Sequence, residues 1–285
     1  MAFTSRSIYI SFHVLFFLCT LQTPSFADTV ATDNKELIFG VFPYLQPSQL
    51  VNNFDPLKVH LEKSLGRPIE IRTAPDFAQF VERTHNGEYD IIFTGPHMGR
   101  LAEKRDHFRP LGQTGIPIIT VALARNDSAV KSLKDLRDRN FAAGSKMAMH
   151  YHNINYELGK NGLKLGKSVN FINTASFSNV IEAVLRGEVD AGAVGSVLWD
   201  NANAEQRAQL HEIYRSHPLP GFLLLGHTRN NKATLKKIQK ALFDFSGTPA
   251  GKIYFAQTGH IDFRPIDEKT MKRMDPFTGA LISTP

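Results

Sequence analysis

From Leu37 onward the chain alternates short apolar runs with longer stretches in which apolar residues recur every three or four positions. That pattern predicts strands alternating with amphipathic helices. Leu37 to Phe42 reads as a first strand, Pro47 to Ser64 as a helix ended by Gly66, and Ile69 to Thr73 as a second strand. Asp76 to Asn86 follows as a helix with Gly87 at its stop, then Tyr89 to Phe93 as a third strand. Further helices are expected near Lys232 to Phe245 and Ala250 to Gln257, with a short helix and a tail over Asp267 to Leu281. The fold class this predicts is α/β, with helices flanking mostly parallel sheets.

The pattern repeats with a period of 100 residues. Laying residues 68–96 over 168–196 pairs Phe77 with Phe177, Glu82 with Glu182, Gly87 with Gly187, Glu88 with Glu188, Asp90 with Asp190 and Gly95 with Gly195. Both stretches read strand, loop, helix, glycine stop, strand. Any two βαβ units share a helix-stop glycine and an acidic strand start, so similarity of local motif is one reading; two similar lobes is the other. In the two-lobed reading the chain crosses twice, outward along the apolar run Pro117 to Ala124 and back along Gly221 to Gly226. The expected division is 28–120 plus 225–285 for lobe one and 121–224 for lobe two, with no Ser/Gly-rich linker between them.

Composition narrows the class. Hydrophobic residues make up 42% of the chain and charged residues 21%, which supports a sizeable core and excludes a low-complexity polymer. Lys and Arg outnumber Asp and Glu by 33 to 27, but they are dispersed rather than gathered into arms, which argues against nucleic acid. No window past residue 25 reaches the roughly 18 uncharged apolar positions of a membrane span. The first residues differ: Arg6, an apolar run from Ile8 to Leu18, and small residues at Ser25 and Ala27 predict a secretory leader over 1–27, cleaved after Ala27. The one cysteine, Cys19, lies in that leader, so the remainder offers no thiol for catalysis, metal ligation or disulfides.

In open parallel sheets, ligands sit beyond the carboxyl ends of the strands, where loops feed helix starts. The repeat selects Phe42-Pro43-Tyr44, Ala74-Pro75-Asp76 and Thr94-Gly95-Pro96-His97 in lobe one, and Gly144-Ser145-Lys146-Met147, Thr174-Ala175-Ser176 and Gly195-Ser196 in lobe two. These loops mix hydroxyls, small residues and free N–H groups, which suits an anion, and Lys146 would add a positive charge. Alternatively, Ser145, Ser176 and Ser196 only cap helices. Met147, Met149, His150 and His152, with His97 and Met98 elsewhere, invite a soft-metal reading. His150 and His152 are two apart, which diverges on a helix, and no third ligand stands at a matching spacing. The remaining histidines, His260 among them, read as surface or core fillers. No phosphate loop, nucleophile elbow, HExxH or dinucleotide fingerprint occurs. Asp90 and Asp190, at strand starts, belong to the end of the sheet away from a cleft and read as structural.

Three segments, PYLQPSQLVNNFDPLKVHLEKSLGRPIEI (43–71), YDIIFTGPHMGRLAE (89–103) and VIEAVLRGEVDAGAV (180–194), resemble the periplasmic phosphate-, phosphite- and phosphonate-binding proteins of ABC transporters. The resemblance implies a type II two-lobed periplasmic binding protein with two hinge crossings, one small oxyanion in the cleft, no reaction and no cofactor. Candidate ligand contacts are Tyr44, Thr94, Gly95, His97, Ser145, Lys146 and Ser176; Tyr44 matches a family tyrosine after strand one. The chain departs from the family at Ser145-Lys146-Met147-Ala148-Met149, where phosphonate binders carry a hydroxyl-rich loop, and it lacks the acidic pair that holds an amine in some relatives. The expectation is a monomeric periplasmic solute-binding protein that presents its closed form to a transporter permease. Alternatives are delivery of the ligand state to a membrane sensor kinase, a metal-binding role for the Met/His cluster, and an enzyme on the same scaffold.

Overall fold

The computed structural model describes residues 1–2, 35–174 and 176–282; the expected leader, its cleavage point and Cys19 lie outside them. Eleven strands and eleven α-helices follow in the described residues. The first part runs β1 (Leu37–Val41), α1 (Pro47–Leu65), β2 (Ile69–Arg72), α2 (Phe77–His85), β3 (Ile91–Thr94), α3 (Pro96–Arg105) and β4 (Phe108–Thr114). The middle runs β5 (Thr120–Arg125), β6 (Asn140–Ala143), α4 (Met149–Gly159), β7 (Asn170–Asn173), α5 (Phe177–Leu185), β8 (Ala191–Gly195), α6 (Ser196–Asp200), α7 (Ala204–Gln209) and β9 (Leu210–Arg215). The last part is β10 (Leu223–His227), α8 (Lys232–Phe245), α9 (Pro249–Thr258), β11 (Phe263–Arg264), α10 (Glu268–Lys272) and α11 (Asp275–Ile282).

These strands form two sheets, ordered β11-β4-β10-β3-β1-β2 and β7-β6-β8-β5-β9. In each, a parallel trio made by the repeated unit (β2-β1-β3 and β7-β6-β8) is joined by one antiparallel strand that arrives from a crossing, β10 in the first sheet and β5 in the second. Even the irregularities match: β10 shifts register against β4 between Leu224 and Leu225, and β5 shifts against β9 between Ala122 and Leu123.

The 100-residue period is therefore a repeat of structure. Asp76 and Ser176 each accept the N–H of the third residue on, Gln79 and Asn179, and so cap α2 and α5. Gly87 and Gly187 end those helices with φ of +72° and +69°, a backbone region that side chains other than glycine strain to adopt. Asp90 accepts the N–H of Ile38 at 2.9 Å and Asp190 that of Asn140 at 2.8 Å, so each carboxylate ties the start of one strand to its neighbour.

The crossings differ in place from the sequence expectation. The apolar run Pro117 to Ala124 leaves the first sheet, but from Thr120 it is already β5, a central strand with ladders on both sides. Similarly, Leu223 to Gly226 belongs to β10, and residues 216–222 make the return. A continuous apolar run reads alike as connector and as fully buried strand, which is why pattern alone shifted the boundary. The two connectors touch where Ile118 and Leu219 exchange backbone hydrogen bonds of 3.1 and 2.9 Å. Gly221 is obligatory there, because a Cβ would meet the carbonyl oxygens of Thr114 and Ile116 at 2.5 and 2.7 Å.

A second correction concerns the expected tail. It forms α10 and α11, and α11 packs on both α3 and α4. Phe277 and Met274 share an apolar cluster with Met149 and Leu219, and the Phe277 ring lies 5.4 Å from that of Tyr156 on α4. On the other side Arg100 of α3, buried, donates to Asp275 at 2.7 Å and Glu103 at 2.6 Å. Among the described residues no helix is long and apolar enough to cross a membrane.

Candidate functional site

A cavity of about 800 Å³ opens between the two sheets, at the carboxyl ends of β1, β2, β3, β6, β7 and β8. The topology puts it there: in both parallel trios the loops after the strands face the same cleft and feed the starts of α2, α3, α4 and α5. Each of those helices begins with backbone N–H groups that have no partner within the helix.

The two walls differ. Lobe one supplies rings: Phe42 and Tyr44 stack at 4.8 Å and 18°, and Phe222 meets them at 5.1 and 5.4 Å. Phe77, stacked on Phe42 at 5.7 Å, and His260, 5.5 Å from Phe222, extend this wall. Lobe two supplies Ser145, Asn173, Thr174, Ser176 and Ser196 around the ring of Phe177.

Five expected contacts line the cavity: Tyr44, Gly95, His97, Ser145 and Ser176. Two do not. Thr94 is fully buried at the end of β3, and its hydroxyl points at the sulfur of Met98, 3.7 Å away. Lys146 is turned outward, its Nζ over the Phe171 ring at 5.8 Å, so the positive charge expected in the cleft is elsewhere. Of the three serines, only Ser176 caps a helix, its Oγ accepting from Asn179 N at 3.2 Å; Ser145 Oγ accepts from Met147 N at 3.1 Å in the turn before α4, and Ser196 makes no cap bond. An accepting hydroxyl oxygen still carries its own proton, so Ser145 and Ser176 both keep a donor for a ligand.

Asp76 is the one formally charged residue among the described lining residues, and Gln79 bonds both its oxygens, through N at 2.8 Å and Nε2 at 3.1 Å. The histidines are uncharged. Burial pushes His97 down to about 3, with the neighbouring His152 as a lesser cause, and burial alone pushes His150 and His260 down to about 4. His97 Nε2 lies 2.9 Å from the carbonyl oxygen of Met147, across the cleft in lobe two. A carbonyl only accepts, so Nε2 carries the proton and Nδ1 is a bare acceptor. That Nδ1, the Tyr44 hydroxyl and His260 Nδ1 are buried polar atoms without a partner. Such atoms are costly unless something meets them.

The histidines of the Met/His cluster do not converge on one point. α4 starts at Met149, so its histidines diverge: His150 faces Thr120 Oγ1 at 2.9 Å, and the ring of His152 faces that of His97 at 5.2 Å. No group of three His, Cys, Asp or Glu among the described residues is placed to hold a metal ion. Phe42 was within the chosen loops, but Phe222 and His260 were not foreseen as cleft residues. They come from the return crossing and from the end of α9, outside the repeated unit.

A family model described as "ABC transporter, phosphonate, periplasmic substrate-binding protein" matches residues 39–271. The phosphonates-binding periplasmic protein of Escherichia coli (strain K12) is 24% identical over 269 residues, covering 90% of this chain and 78% of the relative. Among solved structures, a Xanthomonas citri protein bound to ATP superposes with a TM-score of 0.75 at 21% identity, covering 87% of this chain and 97% of the other. PhnD1 from Prochlorococcus marinus (MIT 9301), in complex with methylphosphonate, superposes with a TM-score of 0.72 at 17% identity, covering 88% and 100%. At these identities the structural likeness establishes the two-lobed α/β fold.

Proposed function

This chain belongs to the periplasmic substrate-binding proteins of ABC phosphonate transporters, and from that premise we propose that its cleft captures a phosphonate for a transporter permease. The observation that carries the reading is the convergence of four helix starts and the hydroxyls of Ser145 and Ser176 on one cavity. The contacts are Tyr44, the backbone at Gly95, His97, Ser145 and Ser176. Lobe two's hydroxyls and helix N–H groups take the ligand oxygens, since these donors favour negative charge without a cation.

The lobes divide within residues 115–119 and 216–222, and the ligand works by touching both. Binding favours the closed arrangement by its greater affinity for it, and the closed form is what the permease recognises. The family's compartment is the periplasm, which the leader over 1–27 serves. Titration calorimetry against methylphosphonate, phosphate, phosphite and sulfate tests the proposal. Saturable heat with methylphosphonate and none with sulfate is expected; a protein that gives no heat with any phosphonate is not a phosphonate receptor.

A further inference from the structure

We infer that the phosphonate this cleft selects carries a sizeable apolar substituent, alkyl or aryl, laid against the aromatic wall of lobe one. The inference rests on the proposed capture of a phosphonate and names the class. Three independent features point the same way.

The first is size. A cavity of about 800 Å³ falls in the ~300–1,000 Å³ range of sites that enclose drug-sized molecules. A bare oxyanion or a methyl-substituted one has only a handful of heavy atoms and leaves most of that space to water. The second is the wall itself. Tyr44, Phe77 and Phe222 line the cavity and are only partly buried, braced from behind by Phe42 and Phe93. An apolar group on those rings removes them from water; phosphate or phosphite leaves them wet.

The third is the charge pattern. Among the described residues no Lys or Arg lines the cavity, so a multiply charged ligand finds no cation among them. An aminoalkyl ligand finds only Asp76, whose two oxygens already hold Gln79. Aromatic rings predominate on lobe one and hydroxyls on lobe two. A molecule that satisfies both walls has an anionic head of oxygens at Ser145 and Ser176 and an apolar body reaching toward Phe77 and Phe222.

The test is calorimetry on the full protein with phenylphosphonate, butylphosphonate, methylphosphonate, 2-aminoethylphosphonate and phosphate. Phenylphosphonate or butylphosphonate should bind about tenfold or more tightly than methylphosphonate, the discrimination one or two apolar groups supply. Phe77→Ala, on the half-exposed first turn of α2, should shrink the phenyl-over-methyl ratio by about fivefold. Phe222→Ala should do the same, but it touches the core, so Phe77→Ala is the deciding variant. Methylphosphonate, 2-aminoethylphosphonate or phosphate binding as tightly as phenylphosphonate overturns the inference while leaving phosphonate capture standing. So does a phenyl preference that Phe77→Ala leaves intact. Binding of none of the phosphonates overturns the proposed function itself.

Discussion

At positions 100 residues apart, lobe one opens α2 with Asp76-Phe77 and α3 with Pro96-His97, whereas lobe two opens α5 with Ser176-Phe177 and α6 with Ser196-Val197. The cores differ in the same sense. Lobe one packs Phe39, Phe54, Phe80, Phe93 and Phe245 together, while one core cluster of lobe two has a single buried phenylalanine, Phe141, and includes Ala122, Ala124, Ala143, Ala191 and Ala193. What the halves share is backbone bookkeeping: caps, left-handed stops, the aspartate between strands, the register shift. What lines the cleft they share only in part: Phe77 matches Phe177 and Gly95 matches Gly195, but Asp76 stands opposite Ser176 and His97 opposite Val197. A duplicated scaffold thus serves as two unlike jaws, one aromatic and one hydroxylic.

The largest expected effect probes whether the two cores stand or fall together. Phe54 touches Phe39, Phe93 and Tyr254, so Phe54→Ala should cost about 3–5 kcal/mol in urea unfolding followed by circular dichroism. The only tryptophan, Trp199, sits in lobe two. Its fluorescence transition should move with the dichroism, because α11 packs on both lobes; a Trp199 signal that stays put would show independent halves.

Next in size is the matched aspartate pair. Asp90 also receives Arg229 Nε at 2.7 Å, while Asp190 has only a 3.4 Å contact from Arg139. Asp90→Ala is therefore expected to cost about 2–3 kcal/mol and Asp190→Ala about 1–2 kcal/mol, by the same unfolding measurement. Equal costs would mean the arginine adds nothing.

Acidification acts on both jaws, since His97 and His260 belong to lobe one and His150 and His152 to lobe two. Burial holds them at about 3 or 4, against an ordinary 6.5. Below pH 6.5 the unfolded chain takes up these protons and the folded chain does not. Their stabilisation is therefore complete above pH 6.5 and drains as pH falls toward 4, by at most about 1.4 kcal/mol per histidine per pH unit. Unfolding free energies measured at pH 7 and pH 5 check the slope; a flat profile would mean these rings become charged without cost.

The smallest effects are on affinity. Ser145→Ala and Ser176→Ala should each weaken methylphosphonate binding about tenfold, with Ser176→Ala also losing about 1 kcal/mol of helix cap. Lys146→Ala should change affinity less than about twofold in moderate salt, because exposed charges outside the cleft are screened. A large Lys146 effect would return that side chain to the ligand.

The sequence made the skeleton legible because its signals are local: a glycine after a helix, an acidic residue at a strand start, a period of 100. It also selected loops that line the cavity, since the direction of the parallel strands dictates which ends meet the cleft. Side-chain direction was another matter. Thr94 follows Ile91, Ile92 and Phe93 in a strand buried on both faces, and the chain pattern holds nothing to say which way its hydroxyl turns. Lys146 leans on Phe171, a partner supplied by β7, and adjacency to Ser145 could not foretell it. Phe222 and His260 escaped notice because they arrive from distant parts of the chain and belong to no repeated motif.

The C-terminal helix sets a mechanical condition on any swing of the jaws. Its grip on α3 is ionic and directional, through Arg100 and Asp275, whereas its seat on α4 is greasy, through Phe277, Met274 and Tyr156. A change in the angle between the lobes therefore has to break the directed ion pair on one side of α11 or repack the apolar seat on the other. Either way the C-terminal helix couples the two lobes, and opening the mouth exposes Phe277 and Met274 to water.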